Sequence, residues 1–253
     1  MHKDRFRPCI IIPVYNHSAQ IKTICQNIAE KKLHCILVDD GSNAQCANVL
    51  QAIAENNENI ELIRLDENQG KGVAVCTGLV HALRSNYSHA LQIDADGQHS
   101  LSDIEAFFNC AQNNPAAVIS GFRRYEDLPP SRRYGRMFTD MWVWIHTWSR
   151  TIKDSMCGYR LYPLPATVAL IESTAIGRRM DFDTDILVKL FWRGLEVQHI
   201  NINVKYEDDI ISHFDVWKDN LRVTKMHTKL FFGMLRRLPN ILTRKWRGKS
   251  NER

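Results

Sequence analysis

The 253-residue chain has no run of about 18 uncharged apolar residues, the length a membrane-spanning helix needs. Its richest stretch, 137–152, is broken by Asp140, His146 and Arg150, so a transmembrane anchor is not expected. The charged start Met1-His2-Lys3-Asp4-Arg5-Phe6-Arg7 runs straight into an apolar segment and leaves no room for the hydrophobic core of a signal peptide, which points to a cytoplasmic address. Seven cysteines, an odd number, contain no C-x-x-C pair and fall mostly in apolar runs, as Cys9, Cys35 and Cys76 do. They read as reduced core thiols, which excludes a disulfide framework or a zinc site. G-x-G-x-x-G is missing after the first apolar run, where Pro13-Val14-Tyr15-Asn16-His17 stands instead, and a nicotinamide dehydrogenase is excluded. No nucleic-acid-binding motif is recognisable, and no nucleic-acid partner is expected.

What the chain does contain is a series of strand-like runs, each ending in polar turn residues. Cys9-Ile10-Ile11-Ile12 is stopped by Pro13 and followed by a helix-like stretch over 18–30. Ile36-Leu37-Val38 ends in Asp39-Asp40-Gly41-Ser42, whose acids suit a nucleobase N–H or a ribose hydroxyl. The strand-like 60–65 leads to Asn68-Gln69-Gly70-Lys71-Gly72, where a lysine opening a helix over 71–84 can reach a phosphate. The strand-like 87–93 ends in Asp94-Ala95-Asp96-Gly97-Gln98-His99, with a helix expected over 101–110. Carboxylates one residue apart at a strand end can hold a hard divalent ion against a diphosphate, and the carboxyl edge of an open α/β sheet is where ligands bind. Being adjacent on one turn, Asp94 and Asp96 cannot flank a glycosidic bond as acid and base, so glycoside hydrolysis fits poorly.

Taken in order, Pro13, Tyr15, Asn16, Asp39, Asp40, Gly41, Ser42, Asn68, Gly70, Lys71, Gly72 and the Asp94 to His99 motif resemble a family 2 glycosyltransferase of the dolichol-phosphate-mannose-synthase-like branch, over residues 8–202. The resemblance implies a GT-A type α/β fold: an open, mostly parallel sheet with helices on both faces, followed by a C-terminal amphipathic helical extension. It implies that Pro13, Tyr15, Asp39 and Asp40 line the nucleoside of a UDP- or GDP-linked sugar, with Lys71 and Asp94 at its phosphates. Asp94, Asp96 and Gln98 would hold Mg2+ or Mn2+. His17 stands where the family often has Glu. A catalytic domain over 1–210, with a nucleotide-sugar half to residue 121 and an acceptor half over 122–210, would precede a tail over 211–253.

In the acceptor half, the resemblance puts Arg123 near the donor phosphates. A loop ending at Pro129-Pro130 reads as a mobile lid before an aromatic helix over 134–150, whose Trp142, Trp144 and Trp148 either line an acceptor path or pack against the tail. Asp154-Ser155-Met156-Cys157-Gly158-Tyr159-Arg160 resembles the acceptor loop of polyprenyl-phosphate glycosyltransferases. Asp154 would be the base for a hydroxyl acceptor, and Arg160 the clamp for an acceptor phosphate. Asp185, in a helix expected over 184–193, is the second base candidate, although acids there also suit a helix N-terminus. Ser212-His213-Phe214 resembles a branch tied to bacterial lipid pathways; Ser212 and Asp215 serve equally well as helix caps.

Charge is uneven. Residues 217–253 hold 11 Lys/Arg against Asp219 and Glu252, a net of +9, so of the overall +5 the other 216 residues carry −4. Trp217, Leu221, Phe231, Leu235, Leu238, Leu242 and Trp246 recur at helical spacing, with a break or restart expected at Pro239. Cations beside such a stripe suit an anionic membrane surface, each adding ~1 kcal/mol; the alternative is a helix packed on the catalytic domain. The expected acceptor is a lipid or polyprenyl phosphate at the inner face of the cytoplasmic membrane. A non-catalytic sugar-nucleotide-binding protein and, more distantly, a nucleotidyltransferase are the competing readings.

Overall fold

The computed structural model describes residues 6–123, 130–202 and 216–250, with side chains over 6–123, 133–202 and 217–243. The stretch proposed as a lid, 124–129, and the Ser212-His213-Phe214 element with Asp215 lie outside the described residues.

Alternation within the strands builds the core. In β1 (Pro8–Val14) and β2 (Cys35–Asp39), Ile10, Ile12, Cys35 and Leu37 face one hydrophobic cluster, while Cys9, Ile11, Ile36 and Val38 face another. Such runs, apolar on both faces, belong to a sheet covered on both sides. With β3 (Ile60–Arg64), β4 (His89–Gln92), β5 (Val118–Phe122), β6 (Arg160–Pro163) and β7 (Val197–Asn201) they form one seven-stranded sheet, in the order β3-β2-β1-β4-β6-β5-β7. The pairings among β1, β2, β3 and β4 are parallel, as is β5 with β7. β6 runs antiparallel between β4 and β5.

Helices α1 (Ser18–Glu30), α2 (Ala44–Glu55) and α4 (Ile104–Asn113) cover the first cluster with Ile21, Ile28, Leu50 and Phe107. Helices α3 (Lys71–Arg84), α5 (Pro130–Thr147), α6 (Leu164–Ser173), α7 (Phe182–Trp192) and α8 (Val216–Ser250) cover the second with Leu79, Val143, Leu170, Ile186 and Leu230. α1 and α3 have the bounds expected from the sequence. α4 begins three residues later than expected because Ser100 and Ser102 bond one another in a turn before it. α7 begins two residues earlier, at Phe182, and Gly194 follows it at φ +98°.

α8 contains Pro239 without ending there, contrary to the expected break. A proline inside a helix forfeits one hydrogen bond, at a cost of about 3 kcal/mol, and this helix absorbs it. Met226, Leu230 and Met234 bury one face of α8 against α5 and α7. Two of the tryptophans join this seam: the Trp142 ring lies tilted against His227, and Trp148 Nε1 donates to Met234 Sδ at 3.3 Å, whereas Trp144 Nε1 donates to Ile152 O at 2.8 Å. Among the described residues, no helix is long and apolar enough to cross a membrane.

Candidate active site

Because β1, β2 and β4 run in one direction, the residues that follow them emerge at one edge. Pro13 and Tyr15, Asp39 and Asp40, and Asp94 and Asp96 therefore converge from three adjacent strands. The β1 and β2 loops are tied together: Asn16 N donates to Ser42 Oγ at 3.0 Å, and Asn16 Oδ1 accepts from Asn43 N at 2.9 Å.

The two acids at the end of β2 are buried and engaged by protein donors. Asp39 accepts from Arg64 Nη1 at 2.6 Å and Ser42 N at 2.9 Å. Asp40 accepts from Gln69 N and Gly70 N at 2.8 Å each and from Asn68 Nδ2 at 3.0 Å, so it shapes the loop that delivers Lys71. Burial pushes the Asp40 carboxyl up, against the pull of those backbone donors.

Lys71 opens α3 and bridges two acids, with Nζ 2.8 Å from Asp94 Oδ1 and 2.9 Å from Asp183 Oδ2. Burial alone would lower its pKa, but Asp183 and Asp94 outweigh burial and raise it. Asp94 is likewise held well below the usual carboxylate range, because Lys71 and His99 overcome its own desolvation. Asp96 moves the other way, raised by burial and by the negative charge of Asp94. Asp183 Oδ1 also accepts from Gln92 Nε2 at 3.1 Å, and Gln92 Oε1 accepts from Tyr162 OH at 3.1 Å. His99 Nε2 lies 3.7 Å from Asp94 Oδ2, its ring packed on Tyr159 and that ring on Phe107. The 154–160 loop closes over this centre at Gly158, where a Cβ would sit 2.7 Å from Asp94 Oδ2 and 2.8 Å from Lys71 Nζ. A larger residue there would displace the ends of both side chains.

A hard divalent cation suits this donor set. Asp94 and Asp96 offer carboxylate oxygens one residue apart, and the contact of Lys71 with Asp94 Oδ1 is a close ion pair rather than an aligned hydrogen bond. A positive charge already rests against that oxygen. Gln98 meets the acidic pair through its backbone N–H, which donates to Asp96 Oδ1 at 3.0 Å. Among the described residues no three His, Cys, Asp or Glu side chains converge as a ligand set, so an ion held here would complete its shell with substrate oxygens or water.

Beyond residue 121, the contacts of Asp154, Asp185 and Arg160 differ from those the sequence suggests. Asp154 is buried and held by two arginines, with Arg123 Nε at 3.0 Å and Arg136 Nη1 at 3.2 Å from Oδ2. Burial would raise its pKa, but the two guanidiniums outweigh that and lower it, so this carboxylate is a poor proton acceptor and a good arginine anchor. Asp185 faces away from Asp94: it accepts from Gly177 N at 2.8 Å and pairs with Lys189 at 2.6 Å. Two residues along a helix rotate a side chain by about 200°, which turns Asp183 toward Lys71 and Asp185 to the opposite side. Arg160 is fully buried and donates to the carbonyls of Asp183, Cys157 and Ser155, which makes it a brace inside the sheet and not a phosphate clamp.

Asp183, Arg136, Gln92 and His99 are the site residues that the sequence reading did not assign. His99 lay within the Asp94 motif, and Asp183 was two residues from an assigned acid; Arg136 and Gln92 carried no local signal.

The sheet order, the acids at its carboxyl edge and the lysine at the start of α3 define a GT-A-type glycosyltransferase. The chain belongs to Glycosyl transferase family 2, whose pattern matches residues 9–179. It is 26% identical over 229 residues to an uncharacterized protein of Methanocaldococcus jannaschii, covering 88% of this chain and 98% of that one. It is 25% identical over 254 residues to a dolichyl-phosphate beta-glucosyltransferase of Dictyostelium discoideum, covering 92% and 76%. Among solved structures it is similar to glucosyl-3-phosphoglycerate synthase from Mycobacterium tuberculosis in complex with Mn2+ and UDP-glucose. That match has a TM-score of 0.65 at 13% identity, covers 88% of this chain and 77% of that one, and reflects a shared fold.

Proposed function

We propose that this glycosyltransferase moves the sugar of a UDP- or GDP-linked donor, with inversion, onto the phosphate of a polyprenyl-type lipid at a membrane surface, using Mg2+ or Mn2+. The observation that carries the reading is the Lys71 bridge between Asp94 and Asp183 beside Asp96, a focus of alternating charge at the carboxyl edge where a diphosphate would lie. Asp94 and Asp96 would hold the ion, which when bound neutralises charge building on the departing nucleoside diphosphate. Lys71 adds a fixed positive charge for the same leaving group. Pro13, Tyr15, Asp39 and Asp40 form the nucleoside end. An acceptor phosphate oxygen attacks the anomeric carbon as the bond to the donor β-phosphate oxygen breaks, and the bonding pair leaves with the nucleoside diphosphate.

A phosphate acceptor is already ionised and needs cations rather than a base. Arg123 and Arg136, sharing the single carboxylate of Asp154, supply a net positive charge for that purpose. The dolichyl-phosphate activity named for the Dictyostelium relative and the Mn2+ and UDP-glucose of the mycobacterial structure support the choice of donor, metal and acceptor.

Two helices supply a membrane-facing surface. On α5, Tyr134, Met137, Phe138, Met141 and Ile145 form one exposed stripe, and on α8 Trp217, Leu221, Leu235 and Leu242 form another. Cations such as Lys218 and Arg236 border the α8 stripe, as suits adsorption to anionic lipid at the cytoplasmic face.

The test is a thermal-shift panel of UDP, GDP, CDP and TDP with and without Mn2+, followed by turnover of the matching sugar nucleotide with polyprenyl phosphate and with the free alcohol. Metal-dependent stabilisation by one nucleotide and transfer to the phosphate alone are expected. Nucleotide binding without turnover would make the protein a non-catalytic sugar-nucleotide binder, and transfer to the alcohol alone would remove the phosphate-acceptor reading.

A further inference from the structure

On the far side of the α7 first turn from Asp94 lies a cleft of about 680 Å3 that the transfer reaction does not use. Its walls are the 67–69 segment, the 175–181 segment running into α7, and the flank of α8. Six cations line it: Arg178, Arg179 and Lys189 on one wall, and Arg222, Lys225 and Lys229 on α8. Three acids oppose them. Asp185 is already neutralised by Lys189 at 2.6 Å, and Asp181 Oδ1 accepts from Arg179 N at 3.0 Å; Glu67 is the third. Arg222 pairs with Asp219, whereas Lys225 and Lys229 are exposed and have no ion pair among the described residues.

The cationic wall of α8 follows an i, i+3, i+7 spacing, which puts its charges on one face over about 10 Å. That span exceeds a single phosphate and suits a diphosphate. Guanidiniums on the facing wall add planar donors for phosphate oxygens. The cleft also shares a wall with the nucleotide loop. On one side of the 68–70 segment Asp40 accepts from Asn68, Gln69 and Gly70, and on the other Arg179 Nη1 donates to Asn68 Oδ1 at 2.8 Å and Arg178 Nη2 to Gln69 Oε1 at 3.0 Å.

We propose that this cleft is a second anion site, separate from the Asp94 centre, that takes a phosphate- or diphosphate-bearing group across Arg178 and the α8 lysines. The group comes either free from solution or as the head group of a lipid, since the chemistry recognised is the same. The site does not depend on the acceptor assigned above.

The experiment titrates inorganic diphosphate, in chelating buffer, into the wild-type chain and the K225Q/K229Q variant. In parallel, both are sedimented with phosphatidylcholine vesicles carrying either phosphatidic acid or phosphatidylserine. The control variant K218Q/R236Q removes the same charge from α8 outside the cleft. Diphosphate binding weakened about tenfold in K225Q/K229Q, and little in the control, is expected for a free ligand. Loss confined to phosphatidic acid vesicles would instead identify a lipid head group. Arg178→Gln, on the opposite wall, should weaken the same binding to a smaller degree. Nucleotide stabilisation with Mn2+ should persist in K225Q/K229Q, showing that fold and centre are intact. If the variant changes neither diphosphate nor vesicle binding, or if the control loses as much diphosphate binding, the positive charge is only a diffuse helix surface and the site is overturned.

Discussion

The part of the sheet edge built before residue 121 and the part built after it follow different rules. In the first, β1, β2 and β4 are parallel neighbours in register, Val14 beside Asp39 and Ile11 beside Gln92, so whatever follows each strand reaches the same edge. Tyr15, Asp39 and Asp94 meet there even though many residues separate them in the chain. In the second, an antiparallel strand and the phase of a helix decide. β6 enters from the opposite direction and draws Arg160 into the interior, and the rotation of α7 selects Asp183 over Asp185. A motif at a parallel strand end therefore fixes a place, whereas a motif on a helix fixes only a choice between sides.

The strongest way to break this comparison is Asp94→Asn, which should cut metal-dependent turnover by about a thousandfold while the thermal melt stays near wild type. Turnover close to wild type would remove the Asp94 centre from the chemistry. Asp183→Asn against Asp185→Asn sharpens the contrast within α7. Sugar-nucleotide kinetics should show a loss of about a hundredfold for the first and within about threefold for the second, and equal losses would erase the asymmetry.

Asp154→Ala leaves Arg123 and Arg136 without their shared carboxylate. It should cost about 3 kcal/mol in urea unfolding and raise KM for the acceptor more than for the donor. A base would instead show its loss in kcat. Gly158→Ala tests the closeness of the two halves: overpacking against Asp94 and Lys71 should cost about 1–3 kcal/mol, and a neutral effect would mean that the loop yields.

The smallest expected effect is a pH dependence of the α5 and α8 seam. His146 Nε2 and His227 Nδ1 lie 3.0 Å apart, and desolvation lowers both imidazoles from 6.5 to about 4, helped at His146 by the proximity of His227. The facing groups from the packed elements are the Trp142 ring and Trp192 Nε1, which donates to His146 O. Below pH 6.5 the unfolded chain binds protons that the folded one refuses, so stability should fall from pH 6.5 toward 4 and level off below that. Thermal melts across this range should flatten in H146F/H227F; an unchanged slope would assign the pH dependence to other groups.

Much of the fold was legible because burial on both faces demands unbroken apolar strands, and Cys9 to Ile12 or Cys35 to Val38 can be little else. β6 was harder to read: Arg160 at its start suggested a surface clamp, and only the surrounding carbonyls show how a charged residue is satisfied inside the sheet. Arg136 gave no signal because its role depends on α5 crossing over Asp154, a contact between residues far apart in the chain.

Residue order alone determined the alternating α/β pattern, the acids at the strand ends, the lysine at the start of α3 and the basic amphipathic tail, since each follows from local periodicity and turn chemistry. The tertiary structure decided which acid faces Lys71, which arginines share Asp154, and that α8 packs one face on the domain while leaving another exposed. Those outcomes depend on helix rotation and on contacts between distant segments: about 200° of rotation between positions 183 and 185 of α7 separates a carboxylate beside Lys71 from one paired with Lys189.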